Sequence, residues 1–255
     1  GYLCHDFKSE SAGYIVVMVE KVLNPKDGGG SGKNIFGNIL RNMITVCTVP
    51  GSSVQFNEKF LQSWNGQRIF FLADIPKKID WLFLKEQATG FGLLKKLYKD
   101  EREISPEYMP KLLLNTNYSY DDVDGGLKRR IVPIEFTDYY TIHGGVDAVH
   151  GKMFPTDFDV EDWADFDRVV LECIRYNISE GCKLKVSELS DTGWSKKFIG
   201  NFTEATYDFI RENITTWSEQ GFVSNKHFNE LYDNFCKDID LNPKYKASSI
   251  AMNRA

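Results

Sequence analysis

Residues 27 to 34 read Asp-Gly-Gly-Gly-Ser-Gly-Lys-Asn. Gly28, Gly29, Gly30 and Gly32 allow the backbone to curl without side-chain clash. A curled backbone aims successive N–H groups at one point. Lys33 adds a single long cation, and a helix beginning at this point would add the positive end of its dipole. Such a turn is suited to a chain of phosphates. The candidates for cradling it are Gly28, Gly29, Gly30, Ser31, Gly32, Lys33 and Asn34, with Lys33 reaching the outer two phosphates. Asn34 stands where a hydroxyl residue usually holds Mg²⁺, and an amide oxygen can ligate that ion directly or through water. Asp27 occupies the position of the first glycine in the usual spacing.

Three further groups of residues could complete such a site. Asp74 closes an apolar run, Ile69 to Ala73, where a carboxylate that holds a phosphate-bound metal belongs. Phosphate-hydrolysing sites often carry a second acid beside the first. Here the neighbours are Ala73, Ile75 and Pro76, so a second acid would have to come from Asp80, Glu58 or Glu86, or hydrolysis would be weak. Asn115 and Asn117 tip another apolar run, and an amide there can contact a terminal phosphate and orient water. Lys128, Arg129 and Arg130 follow, and a guanidinium can stabilise charge on a transferring phosphoryl group.

These residues need a scaffold, and its outline is legible. Tyr14 to Glu20 reads as a buried strand that feeds the glycine loop, and Ile35 to Met43 as the helix that leaves it. Val54 to Trp64 has the spacing of a second helix, with Phe56, Phe60, Leu61 and Trp64 apolar. Strands are expected at Ile69 to Asp74, Lys111 to Asn117 and Ile131 to Phe136, a helix at Ile79 to Ala88, and a hairpin or extended loop from Phe91 to Ile104. Strands alternating with helices imply an α/β fold with a mostly parallel sheet. After about residue 150 the pattern turns helical, with helices expected over Glu161 to Glu180, Thr203 to Glu219 and Ser224 to Lys237. The domain expectation is therefore 1–150 for an α/β core and 151–255 for a smaller helical region that could begin a winged helix.

The order of these pieces resembles the core of superfamily 3 helicases, a family that includes the motor halves of viral, phage and plasmid primase-helicases. The stretch from Leu112 to Phe136, LLLNTNYSYDDVDGGLKRRIVPIEF, carries the most specific likeness. The resemblance implies a P-loop NTPase of AAA+-like type, with ATP and Mg²⁺ as cofactors. Lys33 and the glycines would hold phosphates, and Asn34 and Asp74 the metal. Asn117 rather than Asn115 would sense the γ-phosphate, and Arg129 or Arg130 would reach across a subunit boundary as an arginine finger. The resemblance also implies self-association into a hexameric ring, and a hairpin that touches single-stranded DNA. In this chain the hairpin interval holds Lys95, Lys96 and Lys99, with Tyr98 among them. Lysines on phosphates beside a stacking aromatic suit single strands bound without sequence preference.

Composition excludes several classes. Hydrophobic residues are 42% of the 255 and charged residues 26%, so the chain is neither disordered nor fibrous. No apolar run approaches the roughly 20 residues of a membrane helix, and a cytoplasmic setting is expected. The five cysteines are scattered, without a CxxC pair, and are expected as reduced thiols; the four histidines are equally dispersed and none is assigned to a metal. A net charge of −5 argues against a DNA-coating protein but leaves room for a channel lined with lysines. The chain opens Gly-Tyr-Leu and is read as part of a longer protein. Two other functions fit the same loop: a nucleotide-gated assembly module with little hydrolysis, and a small P-loop phosphotransferase.

Overall fold

The computed structural model describes residues 1–20, 30–96, 100–118, 125–184, 199, 202–221, 223–243 and 246. Contacts separate the chain into two compact units, one of them Gly1–Lys21 with Gly28–Leu189, the other the remainder.

The first unit is built on a five-stranded parallel sheet. Its strands are β1 (Ile15–Glu20), β2 (Val46–Pro50), β3 (Ile69–Ala73), β6 (Lys111–Thr116) and β7 (Ile131–Phe136), in the spatial order β2-β3-β6-β1-β7. A short antiparallel hairpin, β4 (Gly92–Leu94) and β5 (Arg102–Ile104), lies between β3 and β6 in sequence. β1 and β6 are buried at every position. Strands covered on both faces read as continuous apolar runs, which is why both were visible in the sequence.

Strand alternation divides the core in two. Ile15, Val17, Val19, Phe70, Leu72, Leu112 and Leu114 face one side, with Phe60, Leu61, Trp64, Leu84 and Ala88. Val16, Met18, Ile69, Phe71 and Leu113 face the other, with Leu40, Tyr2, Leu3 and Tyr14. Helix α1 (Lys33–Arg41) supplies Leu40 to the second core, and α2 (Trp81–Thr89) supplies Leu84 and Ala88 to the first. Gly37 of α1 faces the Phe71 ring so closely that a Cβ there would collide with it, so the helix seats directly on the sheet.

Two expectations need correction. Val54 to Trp64 is not a helix. Its backbone closes successive three-residue turns, Phe60 N–H to Asn57 O at 2.9 Å, Gln62 to Lys59 at 2.9 Å and Trp64 to Leu61 at 2.9 Å. The Asn57 side chain accepts from Lys59 N–H at 2.9 Å, a local bond that competes with helical pairing. The apolar spacing reported burial correctly, since Phe60, Leu61 and Trp64 all enter the core. The second correction is β2, a half-buried edge strand that ends at Pro50, as a strand proline must at an edge or an end.

Helix α3 (Gly125–Lys128) precedes β7, and α4 (Tyr139–Ile142) and α5 (Val146–His150) follow it. Helix α6 (Val160–Ser179) begins with a capping box at Asp159 and Asp162. Its Asn177 Oδ1 lies 2.7 Å from His5 Nε2, tying α6 to the N-terminal segment. The first unit therefore runs past residue 150, where the sequence pattern changes, to residue 189.

In the second unit α7 (Glu204–Gln220) and α8 (Asn225–Asp238) share a small core of Phe209, Tyr232 and Cys236. Ser224 caps α8 by accepting from His227 N–H at 3.3 Å, as its position before the apolar stripe predicts. Thr206 Oγ1 and Tyr232 OH are 2.7 Å apart inside that core.

Candidate nucleotide site

Parallel α/β sheets place ligands beyond the carboxyl ends of their strands, and here the polar residues singled out in the sequence gather at that edge. β6 lies between β1 and β3, with Met18 paired to Asn115 and Leu72 to Leu114. That order sets the tip of the asparagine strand between the glycine loop and Asp74.

Gly30 (φ 74°) and Gly32 (φ 93°) are both in the left-handed region, which only glycine enters without strain. Gly32 accepts the Phe36 N–H at 3.1 Å and opens α1, so Lys33 is the first residue of that helix. Asp27, Gly28 and Gly29 lie outside the described residues. Lys33 is buried, 6% exposed. Its ammonium donates to Asn117 Oδ1 at 2.8 Å, to Ser31 Oγ at 3.5 Å and to Glu20 Oε1. Ser31 Oγ donates to the same Glu20 oxygen at 2.7 Å.

A second cluster adjoins the first. Asn115 is fully buried, at 0% exposed. Its Nδ2 donates to Asn34 Oδ1 at 2.9 Å and to Asp74 Oδ1 at 3.3 Å, and its Oδ1 accepts the Asp74 N–H. One buried amide thus holds two exposed oxygen-bearing side chains together. Asp74 itself is left-handed (φ 54°), a conformation a short polar side chain tolerates at modest cost. It turns the chain out of β3 while Ile75 N–H returns to Asn115 O at 3.0 Å. An amide oxygen and a carboxylate oxygen are the hard donors Mg²⁺ takes when substrate phosphates supply the rest, so Asn34 and Asp74 fit that ion. Among the described residues no group of three or more His, Cys, Asp or Glu forms a metal site.

Asn115 and Asn117 therefore do different things: Asn115 spans Asn34 and Asp74, and Asn117 meets Lys33. Of the acids considered as partners for Asp74, Asp80 caps α2 by accepting from Phe83 N–H at 2.9 Å, and Glu58 and Glu86 are exposed, with no bond to the cluster among the described residues. The carboxylate that does reach the loop lysine is Glu20, which the sequence reading passed over. Its signal was present: it is an acid closing an apolar strand, as Asp74 is.

The remaining candidates lie elsewhere. Arg129 and Arg130 precede β7, at the opposite end of a six-residue strand from the loop edge, about 20 Å away at the usual rise. Arg129 is exposed. Arg130 is half-buried and donates to Gly13 O at 3.4 Å. Neither reaches the loop of its own chain. In the hairpin, Lys95 is exposed and Lys96 donates to Asn65 Oδ1; Tyr98 and Lys99 lie outside the described residues. The hairpin borders a cleft of about 730 Å³ whose walls include Arg68, Lys96, Arg102, Tyr108 and Lys111.

The sheet and its loop edge define an α/β fold consistent with a P-loop NTPase, followed by a helical region. No family model matches the chain, and no curated protein matches it. Among solved structures, the A form apo structure of the NrS-1 C-terminal region is similar at 16% identity and a TM-score of 0.40, covering 88% of this chain and 54% of that one. A second structure of that region gives 16% identity and a TM-score of 0.39, covering 89% and 54%. The chain thus spans about half the length of the structures it matches. Among the described residues no helix is long and apolar enough to cross a membrane.

Proposed function

We propose that this chain is the ATP-hydrolysing motor of a DNA helicase or translocase, as in the motor part of a phage or plasmid primase-helicase, working as a ring on single-stranded DNA. One observation carries the reading: a lysine at the first turn of α1 stands beside an Asn34–Asp74 oxygen pair clamped by a buried asparagine. Lys33, Ser31 and the glycine backbone would hold the phosphates. Asn34 and Asp74 would hold Mg²⁺, which when bound neutralises charge on the outer phosphates. Asn117, already bonded to Lys33, would report whether the terminal phosphate is there. Arg129 is the better candidate for an arginine finger, because it is exposed and therefore available to a neighbouring subunit. Movement of the ring would carry Lys95, Lys96 and Lys99 along a single strand.

The test is ATP turnover with and without single-stranded DNA, in the wild-type chain and in Lys33→Ala. Turnover stimulated by DNA and abolished by the substitution is expected. Turnover that survives Lys33→Ala removes the reading.

A further inference from the structure

The segment that leaves β7 comes back to the glycine loop. A Cβ on Gly32 would lie 3.8 Å from the Tyr140 ring, and one on Gly30 would lie 3.1 Å from Thr141 Oγ1. Tyr140 and Thr141 belong to α4, the short helix that follows β7. Four rings gather there. Tyr139 and Tyr140 meet edge to face with centroids 5.5 Å apart, Tyr139 stacks on His143 at 4.3 Å, and Tyr140 lies 5.7 Å from His150. Tyr140 OH and His150 Nε2 are 3.0 Å apart, so the ring is anchored at its far end by His150 and at its near end by the loop backbone. Tyr140 is half-buried, while Tyr139 and both histidines are exposed. The group is therefore not a piece of core. It is a set of rings open to solvent beside the loop, and the mechanism just given uses none of them.

The order of the strands says which part of a nucleotide would arrive at these rings. β1, which feeds the loop, lies between β6 and β7. The Asn34–Asp74 oxygen pair is held by Asn115 on the β6 side. A metal there would bridge the outer phosphates. A triphosphate laid along the loop from that pair runs toward β7, and its ribose and base come last. The segment with Tyr139 and Tyr140 stands at that end.

We propose that Tyr140, braced by His150 and flanked by Tyr139, is the surface on which the base of the bound nucleotide stacks, so that the site takes a nucleoside triphosphate by the face of its base and not by the base edge. The proposal rests on the reading of the loop as a nucleotide site. An aromatic ring holds a base through its π-face, which every base possesses. A ring already fixed at both ends loses little freedom when the base settles on it. Stacking therefore adds affinity that bare polyphosphate lacks, and adds it to ATP and GTP alike.

The experiment titrates non-hydrolysable ATP and GTP analogues and inorganic tripolyphosphate, each with Mg²⁺, into wild type, Tyr140→Leu and Tyr140→Phe by calorimetry, after thermal melts of each chain. Tyr140→Leu keeps an apolar side chain against Gly32 and removes the π-face. It is expected to bind both analogues about tenfold more weakly, the ratio that about 1.4 kcal/mol represents, and tripolyphosphate as wild type does. Tyr140→Phe, which keeps the ring, binds all three like wild type. If Tyr140→Leu does not fold, wild type carries the test: the analogues must bind more tightly than tripolyphosphate, and equal affinities overturn the base contact. Tripolyphosphate affinity falling together with nucleotide affinity means that Tyr140 only shapes the loop; it overturns the base contact and leaves the nucleotide site standing. A loss confined to one of the two analogues overturns recognition by the face. Absence of binding of all three to wild type overturns the nucleotide reading, and this inference with it.

Discussion

Asn115 and Asn117 sit two residues apart on one strand tip, yet their substitution by alanine should have opposite signatures. Asn115→Ala removes a hydrogen bond to Asn34 Oδ1 at 2.9 Å and a longer one to the Asp74 carboxylate at 3.3 Å. It also strips the Asp74 N–H of its acceptor. The lost bonds are worth about 1 kcal/mol each at most, and the abandoned N–H costs about 1–3 kcal/mol more. A total of about 3 kcal/mol corresponds to roughly 10 °C in melting temperature for a unit of this size. Asn117 is half-buried and loses a single bond, from Lys33 at 2.8 Å, so Asn117→Ala should melt within a few degrees of wild type, about 1 kcal/mol. On the proposed function the order of interest inverts: Asn117→Ala should keep a folded chain but uncouple nucleotide state from turnover, while Asn115→Ala should weaken Mg²⁺-dependent binding because Asn34 and Asp74 would drift apart. Differential scanning calorimetry and turnover on the same samples decide it. Equal melting temperatures for the two variants, or a larger loss for Asn117→Ala, would refute the division of labour drawn from these distances.

Arg129→Ala should leave stability within about 0.5 kcal/mol, as an exposed substitution does, yet lower turnover of the assembled ring by about 10³ or more if it is the finger. Arg130→Ala should cost about 1 kcal/mol through its lost bond to Gly13 O, and a larger turnover loss for Arg130 than for Arg129 at equal folding would reverse the assignment. A pH effect follows from Lys8, which burial, reinforced by the charge of Lys111, pushes down to about 7. The unfolded chain then holds that proton more tightly than the folded one, so stability should rise as pH climbs from about 7 toward 10.5, by up to about 1.4 kcal/mol per pH unit. Lys111, buried at the start of β6 and pushed down to about 8 by that burial, adds to the rise. Melting curves from pH 7 to 9 should therefore slope upward in wild type and flatten in Lys8→Met; identical slopes would refute the assignment.

The parallel sheet was legible because its central strands are long apolar runs, and those runs end at the polar residues of the candidate site. β2 was not, because a half-buried strand of five residues that ends in proline carries too little pattern to stand out from a loop. The false helix over Val54 to Trp64 arose because apolar residues three and four apart describe any segment laid along a core, and only Asn57 marked it as turns.

The site was legible as a set of residues and illegible as a set of contacts, for a reason that lies in the sheet itself. In a strand the side-chain period is two. Val16 and Met18 face the α1 side of the sheet, and so does Leu113. Continuing the alternation carries Glu20 on β1, Asn115 on β6 and Asn117 just past its end to that same side, where Lys33 and Asn34 begin α1. A strand buried on both faces gives no apolar-polar alternation from which to read this parity, so the sequence could not say which polar tip residues shared a face. Nor could it say that β6 lies between β1 and β3. Once that order is known, the three residues converge on Lys33 and Asn34 without further assumption. Asp74 falls out of this register, since Phe70 and Leu72 face the other core, and it reaches Asn115 only because its left-handed backbone turns the chain at the strand end.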